Sequence, residues 1–137
     1  MRRSLILALT AIAVPLGLVG CRSTVDRDEF VKANENVFHQ LPVFPGARLE
    51  REVSASYRSR EDGPIVGYTT LFYSKLPLDT QANVVASFFR QNLEPAWRLV
   101  DRLDGPVLNF RKGRSSVSVN LESSQAHLLE IAVDHGH

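Results

Sequence analysis

The 137-residue chain has a single cysteine, and that scarcity excludes more than any abundant residue does. With only Cys21 there is no internal disulfide and no thiolate cluster for zinc or an iron–sulfur centre. A spanning helix needs about 20 apolar residues. The greasy stretch Leu5 to Val19 has 15 and is interrupted by Pro15 and Gly17. One-sided charge is scarce as well. Arg2 and Arg3 are the only charged residues among the first 20, and the 14 basic residues beyond them meet 15 acidic ones. Phosphate binding needs a clustered basic surface, so this balance argues against nucleic acid as a partner. The chain also lacks a Gly-x-Ser-x-Gly elbow, a His-Glu-x-x-His helix, a phosphate-cradling glycine loop and a calcium loop. It shows no internal repeat and no low-complexity segment.

What is present begins with a targeting pattern. Met1-Arg2-Arg3 gives a positive start, Leu5 to Val19 an apolar centre, and Leu18-Val19-Gly20-Cys21 the close. These three parts read as a signal peptide rather than a stable span. The last four residues resemble the lipobox of bacterial lipoproteins. That resemblance implies diacylglycerol on the Cys21 sulfur, cleavage before Cys21 and acylation of the new amino terminus. Each buried methylene adds about 0.8 kcal/mol of membrane affinity, so two or three chains make release negligible. The only thiol is then taken, which excludes cysteine nucleophilic catalysis. The expected location is the extracytoplasmic face of a bacterial membrane, inner or outer, with membrane lipid as partner through Cys21. An uncleaved anchor, in which Cys21 is an ordinary small residue, is the alternative. Arg2-Arg3-Ser4-Leu5 also has a partial likeness to a twin-arginine export signal.

Beyond a four-residue tether, Arg22 to Val25, which spans at most about 15 Å, Asp26-x-x-Glu29 has the form of a capping box. Phe30, Ala33, Val37, Phe38 and Leu41 share one helical face, so an amphipathic helix is expected over residues 26–41, ended by Pro42. Arg22, Arg27 and Lys32 would each gain about 1 kcal/mol from anionic headgroups nearby. The alternative is that residues 22–41 are partly disordered and serve as the tether.

Leu41-Pro42-Val43-Phe44-Pro45-Gly46-Ala47 reads as a rigid crossing, after which the period becomes two. Leu49, Val53, Ala55 and Tyr57 alternate with polar residues, and Ile65 to Tyr73 forms a second, more central strand. A helix capped by Asp79 or Thr80 buries Ala82, Val85, Phe88, Phe89 and Leu93. Four strands follow: Trp97 to Leu103, Val107 to Lys112, Ser115 to Glu122 and Leu128 to Asp134.

The expected fold is therefore α+β: a single antiparallel sheet in ββαββββ order with one helix packed on one face, preceded by the N-terminal amphipathic helix. Short turns favour pairing in sequence order. Residues 1–20 are the signal peptide, 21–25 the tether, 26–45 the helix and crossing, and 46–137 the main domain. Phe88, Phe89, Trp97 and Phe110 are expected to form most of the core. Pro42-x-Phe44-Pro45-Gly46-Ala47, the helix bearing Phe88-Phe89-Arg90 and Leu93, and Trp97 opening a strand resemble small bacterial lipoproteins of unknown function. Ala96 stands where that group has Gly. The resemblance implies no activity.

Candidate chemistry is sparse. Ser115 and Ser116 sit at a hairpin beside Arg114 and read as turn residues. Asp134, His135 and His137 have the donors for a metal clip, set against a frayed chain end. Glu50 and Glu52 are expected on one strand face about 7 Å apart, as a solvated pair rather than an acid/base pair. Arg111, Lys112 and Arg114 form a basic hairpin tip, and His39 and His127 read as boundary residues. The expected function is a non-enzymatic envelope interaction or structural module without metal or cofactor. The alternative is a small-ligand-binding lipoprotein with a pocket between helix and sheet. Contiguous exposed apolar groups on the second sheet face favour the first, and an enclosed apolar pocket favours the second.

Overall fold

Asp26 opens the first helix. In the computed structural model, which describes residues 25–100 and 105–136, its carboxylate accepts from the amide of Asp28 at 3.0 Å, and α1 runs Arg27–Phe38. The expected capping box aimed at the Glu29 amide. The observed bond satisfies the neighbouring orphan donor in the same way. The chain continues through β1 (Arg48–Arg58), β2 (Ile65–Lys75), α2 (Ala82–Leu93), β3 (Arg98–Leu99), β4 (Val107–Lys112), β5 (Ser115–Asn120), a 3-10 turn (Ser123–Ala126) and β6 (Leu128–His135).

Several boundaries differ from the sequence expectation for local reasons. Neither Asp79 nor Thr80 caps α2. The Thr80 amide instead closes a turn onto the Pro77 carbonyl at 3.1 Å, and Gln81 flanks the helix without a side-chain cap bond. Strand β5 stops at Asn120 because its side chain accepts from the Glu122 amide at 3.0 Å, a local turn that competes with the ladder. Ladder pairing of β3 covers only Arg98 and Leu99, and residues 101–104 of the expected strand lie outside the described residues. The tail expected to fray is strand as far as His135.

All six strands form one antiparallel sheet, ordered β1-β2-β6-β5-β4-β3. Pairing in sequence order holds for β1 with β2 and from β3 through β6, and fails at one junction. There α2 carries the chain across, and the last strand, not β3, docks on β2. The Leu76 amide donating to the His127 carbonyl at 2.8 Å fixes the start of that seam.

The registers assign the two faces. Phe72, Ile131, Val119 and Leu108 form one row across the sheet, and Thr70, Val133, Val117 and Phe110 the next. These residues are buried, together with Val37, Leu41 and Phe44 of the N-terminal segment and Val85, Phe89 and Leu93 of α2. Both helices therefore cover the same face. Phe72 and Phe44 belong to the core beside the expected Phe89, Trp97 and Phe110, whereas Phe88 is half-buried, set edge-on to Phe44 at 5.2 Å.

Helix α1 lies across β2 and β6. Phe38 stacks on Phe72 at 3.8 Å, and between Phe30 and Val37 the helix turns Asn34 into the sheet. Asn34 is fully buried. Its amide nitrogen donates to the Tyr68 carbonyl (2.8 Å) and to Thr70 Oγ1 (3.1 Å), and its oxygen accepts from the His135 amide (2.8 Å). Thr70 in turn shares a 2.9 Å hydrogen bond with Ser54 of β1. One side chain thus joins α1, β2 and β6 and reaches β1 through a hydroxyl. Truncation leaves the Tyr68 carbonyl, Thr70 Oγ1 and the His135 amide without this partner, at about 1–3 kcal/mol for a group that water does not reach. Asn34→Ala should therefore destabilise the chain by about 2–4 kcal/mol in chemical denaturation, and a loss under 1 kcal/mol would show that the helix is held by its apolar contacts alone.

Candidate functional site

Alternate residues of the strands build the second face, which no helix among the described residues covers. Its central row is Val53, Leu71, Ala132, Ser118 and Asn109. On one side lie Arg51, Tyr73, Glu130, Asn120 and Val107, and on the other Ala55, Thr69, Asp134, Ser116 and Arg111. None of these residues is buried, and Val53 keeps 41% of its surface exposed. This inverts part of the expectation for β1. Its apolar residues Val53, Ala55 and Tyr57 point away from the core, while Ser54 and Glu52 turn toward α1. A period of two defines alternation without saying which side meets the helices.

Side chains lying flat on this face give it shape. The Arg51 guanidinium sits 4.4 Å above the Tyr73 ring. Tyr57 crosses β2 over Gly67 to donate to Asp134 of β6 at 3.2 Å. A Cβ on Gly67 would come within 2.4 Å of the Tyr57 hydroxyl oxygen, so glycine here makes room for the ring. Burial, and then the negative charge and hydrogen bond of Asp134, push the Tyr57 phenol up to about 12 from 10.0.

An apolar cleft of about 140 Å³ lies on the helix-covered side, where α1 meets the crossing. Phe38, Leu41, Phe44, Leu49, Leu129 and Ile131 line it. Ligand pockets usually enclose about 300–1,000 Å³, so this space suits an apolar side chain better than a whole small molecule. At the same end, Val43 is 77% and Leu78 73% exposed.

The residues with catalytic or metal-binding chemistry are dispersed. Asp134 and His135 are adjacent on β6 and so take opposite faces, which separates two of the donors weighed for a metal clip; His137 lies outside the described residues. Register places Ser115 against His135, with the Ser115 hydroxyl 2.6 Å from His135 Nδ1. Asp134 is across the sheet and cannot orient that imidazole. The nearby amides of His135 and Gly136 already donate to Asn34 and the Arg114 carbonyl, leaving neither for an oxyanion. The pair reads as a part-buried cross-strand contact.

Glu50 and Glu52 do not form the expected same-face pair, because the register shift between Leu49 and Arg51 leaves Glu50 opposite no residue. Glu52 instead approaches Glu35 of α1. Its carboxyl is raised above the ordinary range by burial first, then by the Glu35 charge and hydrogen bond, with His39 opposing. The basic tip also divides: Arg111 faces Arg98 on the open side, Lys112 lies 5.9 Å from the Trp97 ring, and Arg114 borders a hollow beside Glu29 and Phe30. His127 takes φ 58° at the turn into β6, and its Nδ1 is buried without a hydrogen-bond partner. Cys21 lies outside the described residues.

Among the described residues no three His, Cys, Asp or Glu side chains are grouped to hold a metal ion, and no helix is long and apolar enough to cross a membrane. No protein family, curated protein or solved structure matches the chain.

Sequence reasoning missed Asn34 and the Tyr57–Gly67–Asp134 tie. A buried asparagine interrupts an apolar stripe instead of marking one, and the tie joins three strands that only the β2–β6 seam brings together. The tie has a pH signature. The folded chain holds the phenol neutral, so its contribution is complete below pH 10 and is lost as pH rises through about 12. Absorbance titration should show one of the three tyrosines ionising at about 12, and Tyr57→Phe should remove that phase. A Tyr57 phenol ionising near 10.0 would contradict the tie.

Proposed function

We propose that the chain is an exported bacterial lipoprotein, held on the extracytoplasmic face of a membrane through acylated Cys21. In this reading it serves as a non-enzymatic envelope module that docks a partner protein on its open sheet face. The folded unit is the ββαββββ sheet with its preceding helix. The lipobox-like Leu18-Val19-Gly20-Cys21 supports the anchor. One observation carries the docking: both helices cover the same face, leaving Val53, Leu71 and Ala132 in a half-exposed apolar row between the flat-lying Arg51–Tyr73 and Tyr57–Asp134 pairs.

The row resembles the centre of an interface more than ordinary surface. Small residues (Ala55, Thr69, Ala132, Ser116 and Ser118) make it shallow, and charge is confined to its borders, the arrangement of an apolar centre with a polar rim. The pocket reading is weaker because the apolar cleft is small and open at its mouth. The dispersal of Ser115–His135, Asp134, Glu50 and Glu52 supports a non-enzymatic role.

Two measurements test this. Mass spectrometry of the protein from its own membranes should find a mature chain beginning at acylated Cys21, and Cys21→Ser should release it from the membrane fraction. An unmodified thiol with residues 1–20 attached would remove the anchor. A photoreactive phenylalanine derivative replacing Ala132 on intact membranes should give a discrete adduct with one partner, whereas the same group replacing Ser87 on the exposed side of α2 should give none. Equal labelling from both positions, or none from Ala132, would remove the docking face.

A further inference from the structure

Val43 and Leu78 are the two most exposed large apolar side chains among the described residues, and they belong to different connections. Val43 lies in the crossing before β1, and Leu78 in the turn after β2. Register brings the two connections together, because Arg48 at the start of β1 pairs with Lys75 at the end of β2. Beyond that pair, Gly46 rests on Pro77 so closely that a Cβ there would come within 2.8 Å of the proline ring. Gly46 also has φ 78°, a conformation that side chains rarely adopt.

Neither connection is free to fold its apolar residue back onto the core. Pro42, Pro45 and Pro77 fix φ. The Ala47 amide donates to the Phe44 carbonyl at 2.9 Å, and the Thr80 amide to the Pro77 carbonyl at 3.1 Å. Phe44 and Leu76 are already buried beneath the two turns. Val43 and Leu78 are therefore held out in water.

Charge at this tip has one sign. Residues 41–48 and 75–78 contain Arg48 and Lys75 and no acidic residue. Two cations directly opposite each other weaken a ladder, and neither has an ion-pair partner among the described residues. With Gly46, Leu76, Pro77 and Leu78 they line an open hollow of about 370 Å³. Asp79 follows Leu78 in the chain but is not part of that lining.

We infer that this tip is a lipid-contact site, where Val43 and Leu78 enter the interface of a bilayer and Arg48 and Lys75 take the phosphate groups of anionic phospholipids. A bilayer supplies apolar and anionic groups side by side and yields to whatever protrudes into it. A protein partner would need a socket for each of two protruding side chains and an acidic group at the hollow. The contact does not require the proposed anchor at Cys21. Two apolar side chains and two charges bind weakly by themselves, so an anchored chain, already confined near the bilayer, would populate the contact best. A body held at two points could not swing about one.

Fluorescence of the full chain in the Cys21→Ser background tests the tip apart from the anchor. A nitrobenzoxadiazole label on Val43→Cys or Leu78→Cys should shift to the blue in phosphatidylglycerol vesicles and be quenched by spin-labelled lipid. The same label on Glu61→Cys, in the turn at the other end of the β1–β2 hairpin, should do neither, and phosphatidylcholine vesicles should give a much smaller shift at the tip. Each basic group near an anionic surface contributes about fivefold. Arg48→Ala/Lys75→Ala should therefore move the inserted-to-free ratio of the Val43 label about thirtyfold toward free, whether or not residues 1–20 also hold the chain to the vesicle. Arg48→Lys/Lys75→Arg, which keeps both charges, should retain insertion, and circular dichroism confirms that each variant folds. Silent labels at Val43 and Leu78, equal insertion at Glu61, or equal insertion in the two kinds of vesicle would overturn the proposal, as would indifference to loss of both charges. Flotation of the unsubstituted, lipidated chain is scored separately and reports the anchor alone.

Discussion

The Asn34 side chain decides what kind of molecule this is. A short amphipathic helix of 12 residues is marginal in water by itself, and the apolar stripe of α1 alone would fit several surfaces. Three hydrogen bonds to groups on β2 and β6, made by a fully buried carboxamide, choose one position and one rotation. Misplacing α1 by a turn would bury an unsatisfied carboxamide and expose the Phe38–Phe72 stack. This is how buried polar groups confer specificity while adding little net stability. It also couples the chain's first described element to its last strand, so α1 can hold its place only after β6 has docked on β2.

From that placement the two faces become unequal. With α1 over β2 and β6, and α2 packed into the same core, Phe72, Ile131, Val119, Leu108 and Phe110 are all covered on that side, and nothing in the described chain remains to cover the other side. The Tyr57 ring and the Arg51–Tyr73 pair lie flat across strands, bracing β1, β2 and β6 from the open side. Gly67 is what permits the first of these. The open face is therefore a preformed platform, and a partner meeting it would not have to order it first.

Much of this was legible in the sequence because period is legible. The alternation of Val117 and Val119 in β5 and of Leu129, Ile131 and Val133 in β6 separates the two faces, and Val85, Phe89 and Leu93 mark the inner face of α2. What could not be read depended on contacts distant along the chain. The β2–β6 seam arises because α2 moves the chain across the sheet, and short turns carry no information about it. The inverted face of β1 follows from that seam together with the extra residue at Glu50. Ser115 and His135 meet only through register, 20 positions apart. The candidate site divides in the same way. The anchor proposed at Cys21 rests on a local pattern in the chain, whereas the open face exists only after topology has placed both helices on one side.

The two register shifts of the β1–β2 pair lie on different strands. On β1 the extra residue is Glu50; at the other end it is Val66 on β2, because Tyr57 faces Gly67 and Arg58 faces Ile65. A bulge usually increases the local twist of a strand, and here one sits at each end of the same ladder. The seven pairs between them, from Arg51 with Tyr73 to Tyr57 with Gly67, stay in continuous register. That continuity is what sets Val53 and Ala55 beside Leu71 and Thr69 on the open face, and Ser54 beside Thr70 on the covered one. The side that β1 offers to solvent is therefore fixed by the same ladder that connects it to the Asn34 network.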